Sequence, residues 1–386
     1  MMKLLYDHQV FSIQHYGGIS RYFCELMDQY SHDPEIGFRL ALRYSQNDLL
    51  HQYAQLNRFW TRRNAFFSDT QVITNLQRKI RFNFLNHLFN NRNESIRWLK
   101  GRDFDLFHPT YYDPYFLTYL QKRPYILTMY DMVHETYPGI FEKGDPTSEW
   151  KKILAKNASK IIAISEHTKA DIIKFLDIEP ERIQVIYLAS AFNPEKIPRA
   201  LRQIPEDTPP EKYLLFLGNR ILYKNFTFLI EALVPVFQKN SDLHLICAGG
   251  GSFTQSELSL LRKMNIASRV HSFPADDNTL QHLYRNAVAF VFPSLYEGFG
   301  IPVLEAFSCG CPAVLSNTSS LPEIGGDAAL YFDPYNRISL ADSIERVLSD
   351  EQMRKNLIAR GCERAKLFSW QKTAAVTKEV YKSALE

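Results

Sequence analysis

Two glutamates in one short stretch, Glu297 and Glu305, could bind hydroxyl groups, because carboxylates accept hydrogen bonds. Seven residues separate them, and Gly298 and Gly300 lie in between. Glycines in such a loop allow backbone N–H groups to approach a ligand closely, and those groups suit phosphate oxygens. The stretch therefore offers partners for both halves of a nucleotide sugar, its sugar or ribose hydroxyls and its phosphates.

A second loop carries two cations, Arg220 and Lys224, after a glycine, Gly218. Arginine can grip phosphate oxygens with two parallel hydrogen bonds, and lysine adds a point charge. Together the two side chains would neutralise a leaving diphosphate. The alternative is that both are solvated loop residues.

Three polar residues of the N-terminal half follow apolar runs that predict strands. His108 ends the run that starts at Asp105, and Asp131 and His134 follow the run from Tyr125 to Met129. Ligands of open α/β sheets bind outside the carboxyl ends of the strands, so these residues are candidates for proton or hydroxyl contacts. The alternative is that each hydrogen-bonds its own loop.

Gly17 and Gly18 open a helix soon after the first predicted strand. In an α/β domain this arrangement lets a phosphate or another ligand reach the helix N-terminus, although a plain tight turn produces the same pattern. Two further motifs resemble metal sites without predicting one. Asp103-Phe104-Asp105 runs into an apolar strand, and Cys309-Gly310-Cys311 has no second pair or nearby histidines.

These candidates need strands and helices to position them, and apolar runs alternate with helical spacing along the chain, which predicts an α/β fold. Ser165 is expected to cap a helix, and Ser320 with Glu323 has the spacing of a capping box. The segment from Gln9 to Ser20 is expected to be a loop, and the segment from Arg354 to Leu385 to be helical. Strands are expected at Met2–Tyr6, Ile36–Leu42, Asp105–His108, Tyr125–Met129, Lys160–Ser165, Ile183–Tyr187, Tyr213–Leu217, Leu243–Ala248, Val270–Phe273, Ala287–Phe292, Ala313–Ser316 and Ala328–Phe332.

A chain of 386 residues is expected to form two domains at roughly 150 residues each. A proline-rich segment between Asn193 and Pro210 predicts the join. We therefore divide the chain into an N-terminal domain (1–192), a linker (193–211), a C-terminal domain (212–365) and a C-terminal helix (366–386). That last helix can pack back on the N-terminal domain.

The composition excludes several classes of protein. The net charge of +3 creates no global field that would demand nucleic acid, and five cysteines are an odd number that forms no disulfide framework. No run approaches the ~18 apolar residues of a membrane span. Because Met2–Tyr6 is interpreted as a strand and not as a signal peptide, we expect a cytoplasmic protein.

The segment from Leu56 to Arg102 combines ten basic residues and two acidic ones with interleaved aromatic residues. One interpretation is helices with solvated basic faces and buried aromatics. Another is a surface for anionic lipid or a lipid diphosphate, which would place the protein at the inner face of a membrane. Nucleic acid is a third option, and the near-neutral total charge disfavours it.

Several motifs together resemble the family 4 retaining glycosyltransferases, which have the GT-B fold of two Rossmann-like domains facing across a cleft. The C-terminal half matches nearly throughout, and the N-terminal half matches through Gly17-Gly18, the strand before Asp131, and Ser165. The motifs of the C-terminal half are Leu217-Gly218 with Arg220 and Lys224-Asn225, Tyr296 to Ala306 with its two glutamates, Leu321-Pro322-Glu323 and Phe332-Asp333-Pro334.

The resemblance implies transfer of a hexose, with retention, from a nucleoside diphosphate sugar to a saccharide or lipid-linked acceptor, in bacterial surface polysaccharide or O-antigen synthesis. It implies that Glu297 contacts the donor sugar and Glu305 the ribose. Arg220 and Lys224 would hold the diphosphate. No metal or other cofactor would be needed.

The same resemblance implies further donor contacts. Backbone N–H groups of Phe299 and Gly300 would help to bind the diphosphate, Gly17 and Gly18 would lie near it, and the turn after Phe273 would meet the base. The N-terminal domain would supply most of the acceptor site.

Three positions depart from the usual family pattern. Tyr130 precedes Asp131 where many members have histidine, Asn219 separates the glycine from Arg220, and Pro274 replaces a glycine.

Two other classes of function remain open at this point. One is a nucleotide-sugar epimerase or a phosphorylase on the same fold, and the other is a non-catalytic binding protein at a membrane.

Overall fold

The computed structural model describes residues 1–59, 91–192, 209–274 and 276–386. Its N-terminal half contains two three-stranded parallel sheets, in the orders β2-β1-β3 and β4-β5-β6. A parallel bridge between Phe107 and Tyr125 joins them into one layer. The strands are β1 (Met2–Tyr6), β2 (Ile36–Leu40), β3 (Leu106–His108), β4 (Ile126–Met129), β5 (Lys160–Ala163) and β6 (Ile183–Val185).

The C-terminal half forms one parallel sheet of six strands in the order β12-β11-β10-β7-β8-β9. The order reverses between β7 and β10, which are paired neighbours, so the loops that follow these two strands meet. The strands are β7 (Tyr213–Leu217), β8 (His244–Ala248), β9 (Val270–Phe273), β10 (Ala289–Phe292), β11 (Ala313–Ser316) and β12 (Ala329–Phe332).

Helices connect the parallel strands, as parallel pairing requires. In the described residues they are α1 (Gln9–Ile13), α2 (Gly18–Tyr30), α3 (Asp48–Gln52), α4 (Asn91–Gly101), α5 (Leu117–Leu120), α6 (Val133–Thr136), α7 (Thr147–Asn157), α8 (Glu166–Leu176), α9 (Phe226–Lys239), α10 (Gln255–Lys263), α11 (Asp277–Asn286), α12 (Ile301–Ser308), α13 (Leu321–Gly325), α14 (Arg337–Ser349), α15 (Glu351–Ala365) and α16 (Trp370–Ser383).

Two local predictions were wrong. The segment from Gln9 to Ser20 is not all loop, because it contains α1 and the first turn of α2. The segment from Arg354 to Leu385 is not one helical stretch, because α15 ends at Ala365 and a new helix starts at Trp370. Ser369 causes this second start, since its side chain accepts a hydrogen bond from the N–H of Lys372 and caps α16.

Helix α16 lies against the N-terminal domain, although it follows the C-terminal domain in sequence. The Tyr30 hydroxyl of α2 donates to the carbonyl of Ala374 at 2.9 Å. The Tyr381 hydroxyl lies 3.1 Å from that of Tyr6 on β1. Helix α16 therefore ties the end of the chain to the first sheet.

Most of the predicted linker, residues 193–208, lies outside the described residues, as does 60–90 of the basic segment. Within the described ranges, no helix is both long and apolar enough to span a membrane. Those ranges also hold no group of three or more His, Cys, Asp or Glu side chains arranged to bind a metal ion.

Candidate active site

Glu297 and Lys224 meet at the point where the strand order of the C-terminal sheet reverses. Lys224 Nζ lies 2.6 Å from Glu297 Oε1, and the two side chains are 14% and 13% exposed. Two hydrogen bonds fix the backbone of Glu297, because its N–H donates to Ser319 Oγ and its carbonyl accepts from Ser320 Oγ. The two loops thus present a fixed ion pair at the cleft.

Helix α12 begins directly after this loop. Gly300 precedes its first residue with φ +105°, a left-handed conformation that favours glycine, and Gly310 follows its end with φ +70°. Pro302 is within the first turn, where its missing N–H has no intrahelical partner to lose. The predicted helix limits are therefore close to the observed ones.

Glu305 lies on the inner face of α12 and is only 6% exposed. Burial raises the pKa of its carboxyl group to about 7, against the opposing field of the Arg21 guanidinium and with a further increase from Asp277. The Tyr284 hydroxyl donates to Glu305 Oε2 at 3.3 Å. Glu305 is thus a buried carboxyl group whose charge depends on its neighbours.

Gly298 has a different reason to be glycine from the one we predicted. A Cβ at this position would lie 1.8 Å from the carbonyl oxygen of Tyr130, in the other domain. The Gly298 carbonyl accepts hydrogen bonds from Ser165 Oγ at 2.6 Å and Thr168 Oγ1 at 3.0 Å. The absent side chain therefore lets the two domains touch, and the space is filled by protein.

The interpretation of Ser320 and Glu323 as a capping box was wrong. Ser320 makes no side-chain cap on α13, because its hydroxyl bonds to the carbonyls of Glu297 and Phe299. The Glu323 carboxylate instead accepts from the N–H groups of Glu166 and His167, at 2.7 and 3.1 Å. Glu323 therefore supports the N-terminus of α8 in the opposite domain, where negative charge is favoured.

Tyr296 makes a third contact between the domains. Its hydroxyl donates to Asp171 Oδ2 at 2.6 Å and accepts from the N–H of Met132 at 3.0 Å. The ring is 3% exposed. With Gly298 and Glu323, it fixes the loop of Glu297 against the N-terminal domain.

Arg220 does not offer its guanidinium to the cleft, contrary to our prediction. Its Nε donates to Glu257 Oε1 at 2.7 Å, and its terminal nitrogens donate to the carbonyls of residues 249–252 at 2.9–3.2 Å. The side chain is 3% exposed. Arg220 thus holds the glycine loop after β8. Of the two predicted phosphate-binding cations, only Lys224 forms an ion pair with Glu297.

Asp131 faces the cleft from the N-terminal domain, at the end of β4. Burial opposes ionisation of its side chain, but the Lys151 ammonium and the N–H of Val133 hold its pKa below the usual value. Lys151 Nζ, whose side chain is fully buried, lies 3.1 Å from Asp131 Oδ1 and 3.2 Å from Glu135 Oε2. Asp131 is therefore a fixed carboxylate.

The electrostatic neighbours of Tyr223 connect the two halves of the site. Burial raises the pKa of the Tyr223 hydroxyl, and the charges of Glu297 and Asp131 raise it further. Tyr111 is another group close enough to act on it. Glu297 from one domain and Asp131 from the other thus act on the same phenol.

His134 lies near Asp131 but is packed on a ring. Its imidazole stacks on Phe141 with centroids 3.7 Å apart, and its Nε2 lies 3.7 Å from Asp145 Oδ2. Burial and the charge of Lys151 lower its pKa. Its Nδ1 is buried and finds no hydrogen-bond partner among the described residues.

His108 belongs to the interior, contrary to the ligand role that we considered for it. It is fully buried, with Nδ1 2.7 Å from the Tyr381 hydroxyl and Nε2 2.9 Å from Thr128 Oγ1. Burial lowers its pKa to about 3, so the ring is neutral at physiological pH. His108 therefore connects β3 to α16 and β4.

The N-termini of α2 and α12 approach each other across the cleft. A Cβ on Gly18 would lie 3.5 Å from Ile301 Cδ1, and a Cβ on Gly17 would lie 2.7 Å from Gln14 Oε1. The positive ends of two helix dipoles thus converge near Gly300. Backbone N–H groups at such helix N-termini are suited to phosphate oxygens.

The side chains of two predicted donor contacts face inward. Phe299 is 3% exposed and packs near Tyr187 and Phe368, and Phe273 is 8% exposed. Only their backbone groups can meet a ligand in this conformation. Pro274 is exposed, and as a proline it offers a carbonyl but no N–H.

Sequence reasoning missed four residues that shape the site, namely Arg21, Lys151, Tyr223 and Asp277. Arg21 follows Gly17 by one helical turn, which was a usable signal for its facing the cleft. Lys151 gave no signal, because nothing local distinguishes a buried lysine on a helix from a solvated one.

Comparison with known proteins gives a consistent family. A model of the glycosyl transferases group 1 matches residues 199–364, and a model of Glycosyltransferase Family 4 matches residues 16–189. The O-antigen chain mannosyltransferase B of Escherichia coli is 31% identical over 289 residues, which cover 70% of this chain and 74% of that protein. The D-inositol 3-phosphate glycosyltransferase of Corynebacterium glutamicum is 28% identical, with 62% of each chain covered.

Solved structures share the whole fold. A glycosyltransferase from Rickettsia africae superposes with a TM-score of 0.71 at 17% identity, covering 100% of this chain and 99% of that one. Anabaena Alr3699/HepE in complex with UDP-glucose gives a TM-score of 0.72 at 16% identity, with 99% and 100% covered. The prediction of a GT-B fold of two parallel-sheet domains is confirmed, and the chain belongs to the family 4 glycosyltransferases.

Proposed function

We propose that this glycosyltransferase moves a hexose, with retention, from a nucleoside diphosphate sugar to a growing bacterial surface polysaccharide. The observation that carries the proposal is the Lys224–Glu297 ion pair at the strand-order reversal, with 2.6 Å between Nζ and Oε1, on a loop that contacts the N-terminal domain. It places a cation and a carboxylate next to two converging helix N-termini. Such a site suits a diphosphate beside a sugar.

Each charged group has a proposed task. Lys224 stabilises the leaving diphosphate, together with the N-termini of α2 and α12. Glu297 accepts hydrogen bonds from sugar hydroxyls, and Glu305 accepts them from the ribose. Asp131 and the unpartnered Nδ1 of His134 contact the hexose or the acceptor from the other domain. We propose that these groups suffice without a metal ion.

The proposed step keeps both reacting bonds on one face of the sugar. A bond forms between the acceptor oxygen and the anomeric carbon while the bond from that carbon to the phosphate oxygen breaks. The acceptor proton passes to the departing phosphate oxygen. No protein base is required, so the task of the protein is to position both substrates and to stabilise charge.

The relatives suggest which substrates to test first. The curated relatives include the O-antigen chain mannosyltransferase B, and the solved structures include a complex with UDP-glucose. We therefore propose a nucleoside diphosphate hexose donor, with mannose as the first sugar to try. The proposed acceptor is an O-antigen saccharide or its lipid-linked form.

The test of the site replaces Lys224. Lys224→Ala should reduce turnover roughly 10²–10³-fold, the usual loss when one preorganised charge contact to a transition state is removed. The matched control is Lys212→Ala in the same domain, which breaks a 3.1 Å pair with Asp242 on the surface. Near-normal turnover by Lys224→Ala would contradict the assignment, and a product with inverted anomeric configuration would contradict the retaining step.

We also propose a peripheral membrane contact at the cytoplasmic face through the basic segment 56–102. Its described part carries exposed Arg92, Arg97 and Lys100 on α4. Two of these are already paired, Arg92 with Asp113 and Arg97 with Glu94. Because a basic segment is attracted to anionic lipid, the fraction of protein that sediments with liposomes should increase with their anionic lipid content. Sedimentation that ignores lipid charge would refute this contact.

A further inference from the structure

Lys151 is a buried lysine on α7 that contacts two carboxylates of the N-terminal domain. Its side chain is fully buried. Its Nζ donates to the carbonyl of Asp131 at 2.9 Å, to Asp131 Oδ1 at 3.1 Å and to Glu135 Oε2 at 3.2 Å. An ammonium group has three N–H donors, so these contacts use all of them. Lys151 therefore has no spare donor and no exposed surface with which to touch a substrate.

Stability alone explains this cluster poorly. Removing an ammonium and two carboxylates from water is costly, and apolar residues in place of a buried ion pair are often neutral or stabilising. The ammonium nitrogen also lies 5.4 Å from the centre of the Tyr112 ring, which shields it further from water. Such a cluster is expected where one of its members must be held charged in a fixed position.

Asp131 is the member of the cluster that reaches the cleft. Its side chain is 32% exposed, whereas that of Lys151 is fully buried. Lys151 Nζ and the N–H of Val133 both donate to Asp131 Oδ1, which leaves Oδ2 to accept from a ligand. A Cβ built on Gly298 would lie 3.2 Å from Asp131 Cβ, so Asp131 adjoins the loop that carries Glu297. Lys151 therefore fixes which oxygen of Asp131 faces the site.

The other titratable groups around Asp131 leave its compensation to Lys151. Burial disfavours the charged carboxylate, but the Lys151 ammonium outweighs this effect and holds the pKa of Asp131 below its usual value. Burial and the same ammonium lower the pKa of His134 on α6, and Glu135 shares the ammonium from the same helix. Burial raises the pKa of each phenol that faces Asp131, so these side chains stay neutral: Tyr111, Tyr112, Tyr223 and Tyr296.

We propose that Lys151 is a positioning residue, which holds the Asp131 carboxylate charged and turned so that Oδ2 accepts a hydrogen bond from a substrate hydroxyl. The proposal rests on the proposed function, in which Asp131 meets the hexose or the acceptor. It adds a residue that never touches the substrate and that acts through Asp131.

The first test needs no substrate, because it follows the charge of Asp131 through unfolding in urea between about pH 4 and 7. In Lys151→Met the carboxylate loses its cation, so burial raises the pKa of Asp131 above its value in the unfolded chain. A group with a raised pKa stabilises the fold at low pH, and this contribution is lost as the pH rises. The unfolding constant of Lys151→Met relative to the wild type should therefore increase by at least about tenfold over this range, which corresponds to one pKa unit.

This increase should disappear when Asp131→Asn is added to Lys151→Met. The matched control is Lys152→Met, which removes an exposed lysine at the next position of α7 and should show no pH-dependent loss. If Lys151→Met does not fold, Lys151→Met with Glu135→Gln replaces it, because these changes remove one charge of each sign and leave Asp131 as the carboxylate of the cluster. An increase that persists after Asp131→Asn would assign Lys151 to Glu135 and overturn the proposal.

The second test separates binding from turnover. The affinities for UDP and GDP, measured by calorimetry, should be unchanged in Lys151→Met, since the diphosphate is assigned to Lys224. The kcat at neutral pH should fall about 10²-fold, as for a catalytic group misplaced by about 1 Å. The ratio of variant to wild-type kcat should rise with pH, because Asp131 recovers its charge. Because the two residues act as a unit, Lys151→Met with Asp131→Asn should be no slower than Asp131→Asn alone.

The outcomes separate this proposal from the proposed function. If Lys151→Met loses stability but keeps the wild-type kcat and pH profile, Lys151 is only structural and the proposal is overturned, while the proposed function stands. If the pH-dependent loss of stability is present but the wild type transfers no hexose, the proposed function fails and the coupling of Lys151 to Asp131 stands.

Discussion

Replacement of Gly298 by alanine tests how closely the two domains must approach. The new Cβ would lie 1.8 Å from the Tyr130 carbonyl oxygen and 3.2 Å from Asp131 Cβ. Real Cβ atoms essentially never come closer than 3.0 Å to such neighbours. The backbone segments of Gly298 and Tyr130 must therefore separate by at least about 1.2 Å, the difference between 3.0 and 1.8 Å. Both neighbours are backbone or are fixed by backbone, so no flexible side chain can give way.

The separation has two costs. Overpacking of this kind destabilises by about 1–3 kcal/mol, and the two hydrogen bonds from Ser165 and Thr168 to the Gly298 carbonyl would be stretched. Glu297 would also move away from Asp131. A misplacement of about 1 Å in an active site can lower the rate 10²-fold, so we expect kcat to fall by about that factor.

The assay compares Gly298→Ala with Gly101→Ala. A Cβ on Gly101, at the end of α4, meets nothing within 4 Å. Thermal unfolding and initial rates at saturating donor would be measured for both variants. The control should match the wild type or be slightly more stable, because alanine favours a helix over glycine. If Gly298→Ala behaved like the control in both measurements, the close contact between the domains would be wrong.

Four further predictions concern single residues. Glu323→Gln removes the charge that caps α8 and should lower the unfolding free energy by about 0.5–2 kcal/mol, measured by urea denaturation. Tyr381→Phe removes the hydrogen-bond partner of the buried His108 Nδ1 and should lower the unfolding free energy by about 1–3 kcal/mol in the same assay. Because the pKa of His108 is lowered to about 3 in the folded protein, the folded state binds fewer protons than the unfolded state between pH 3 and 6.5. Stability should therefore fall as the pH drops through that window, and less so in His108→Gln. Donor affinity should rise as the pH rises through about 7, where Glu305 ionises, and calorimetry of Glu305→Gln should show no such step.

Local patterns in the sequence predicted most of the elements. The strand Tyr213–Leu217 and the strand Val270–Phe273 have the predicted limits, because an apolar run between turn residues is a local signal. The Ser165 cap and the glycine after α12 were predicted for the same reason. Glu297 and Lys224 were singled out by type and spacing, and parallel pairing of β7 with β10 brings them together.

Contacts between distant residues could not be predicted in this way. Glu323 caps a helix that begins 157 residues earlier, and His108 is buried under a helix 273 residues later. Arg220 has the residue type expected for phosphate, but the carbonyls of the glycine loop after β8 take up its donors.

The sequence by itself indicated the family, the positions of the strands, and the importance of the Glu297 to Glu305 stretch. Only the tertiary structure decided that Gly298 serves the contact between domains and that Arg21 pairs with Asp277 of the other domain. The physical reason is that burial and partners depend on which surfaces meet, and these surfaces come from opposite ends of the chain.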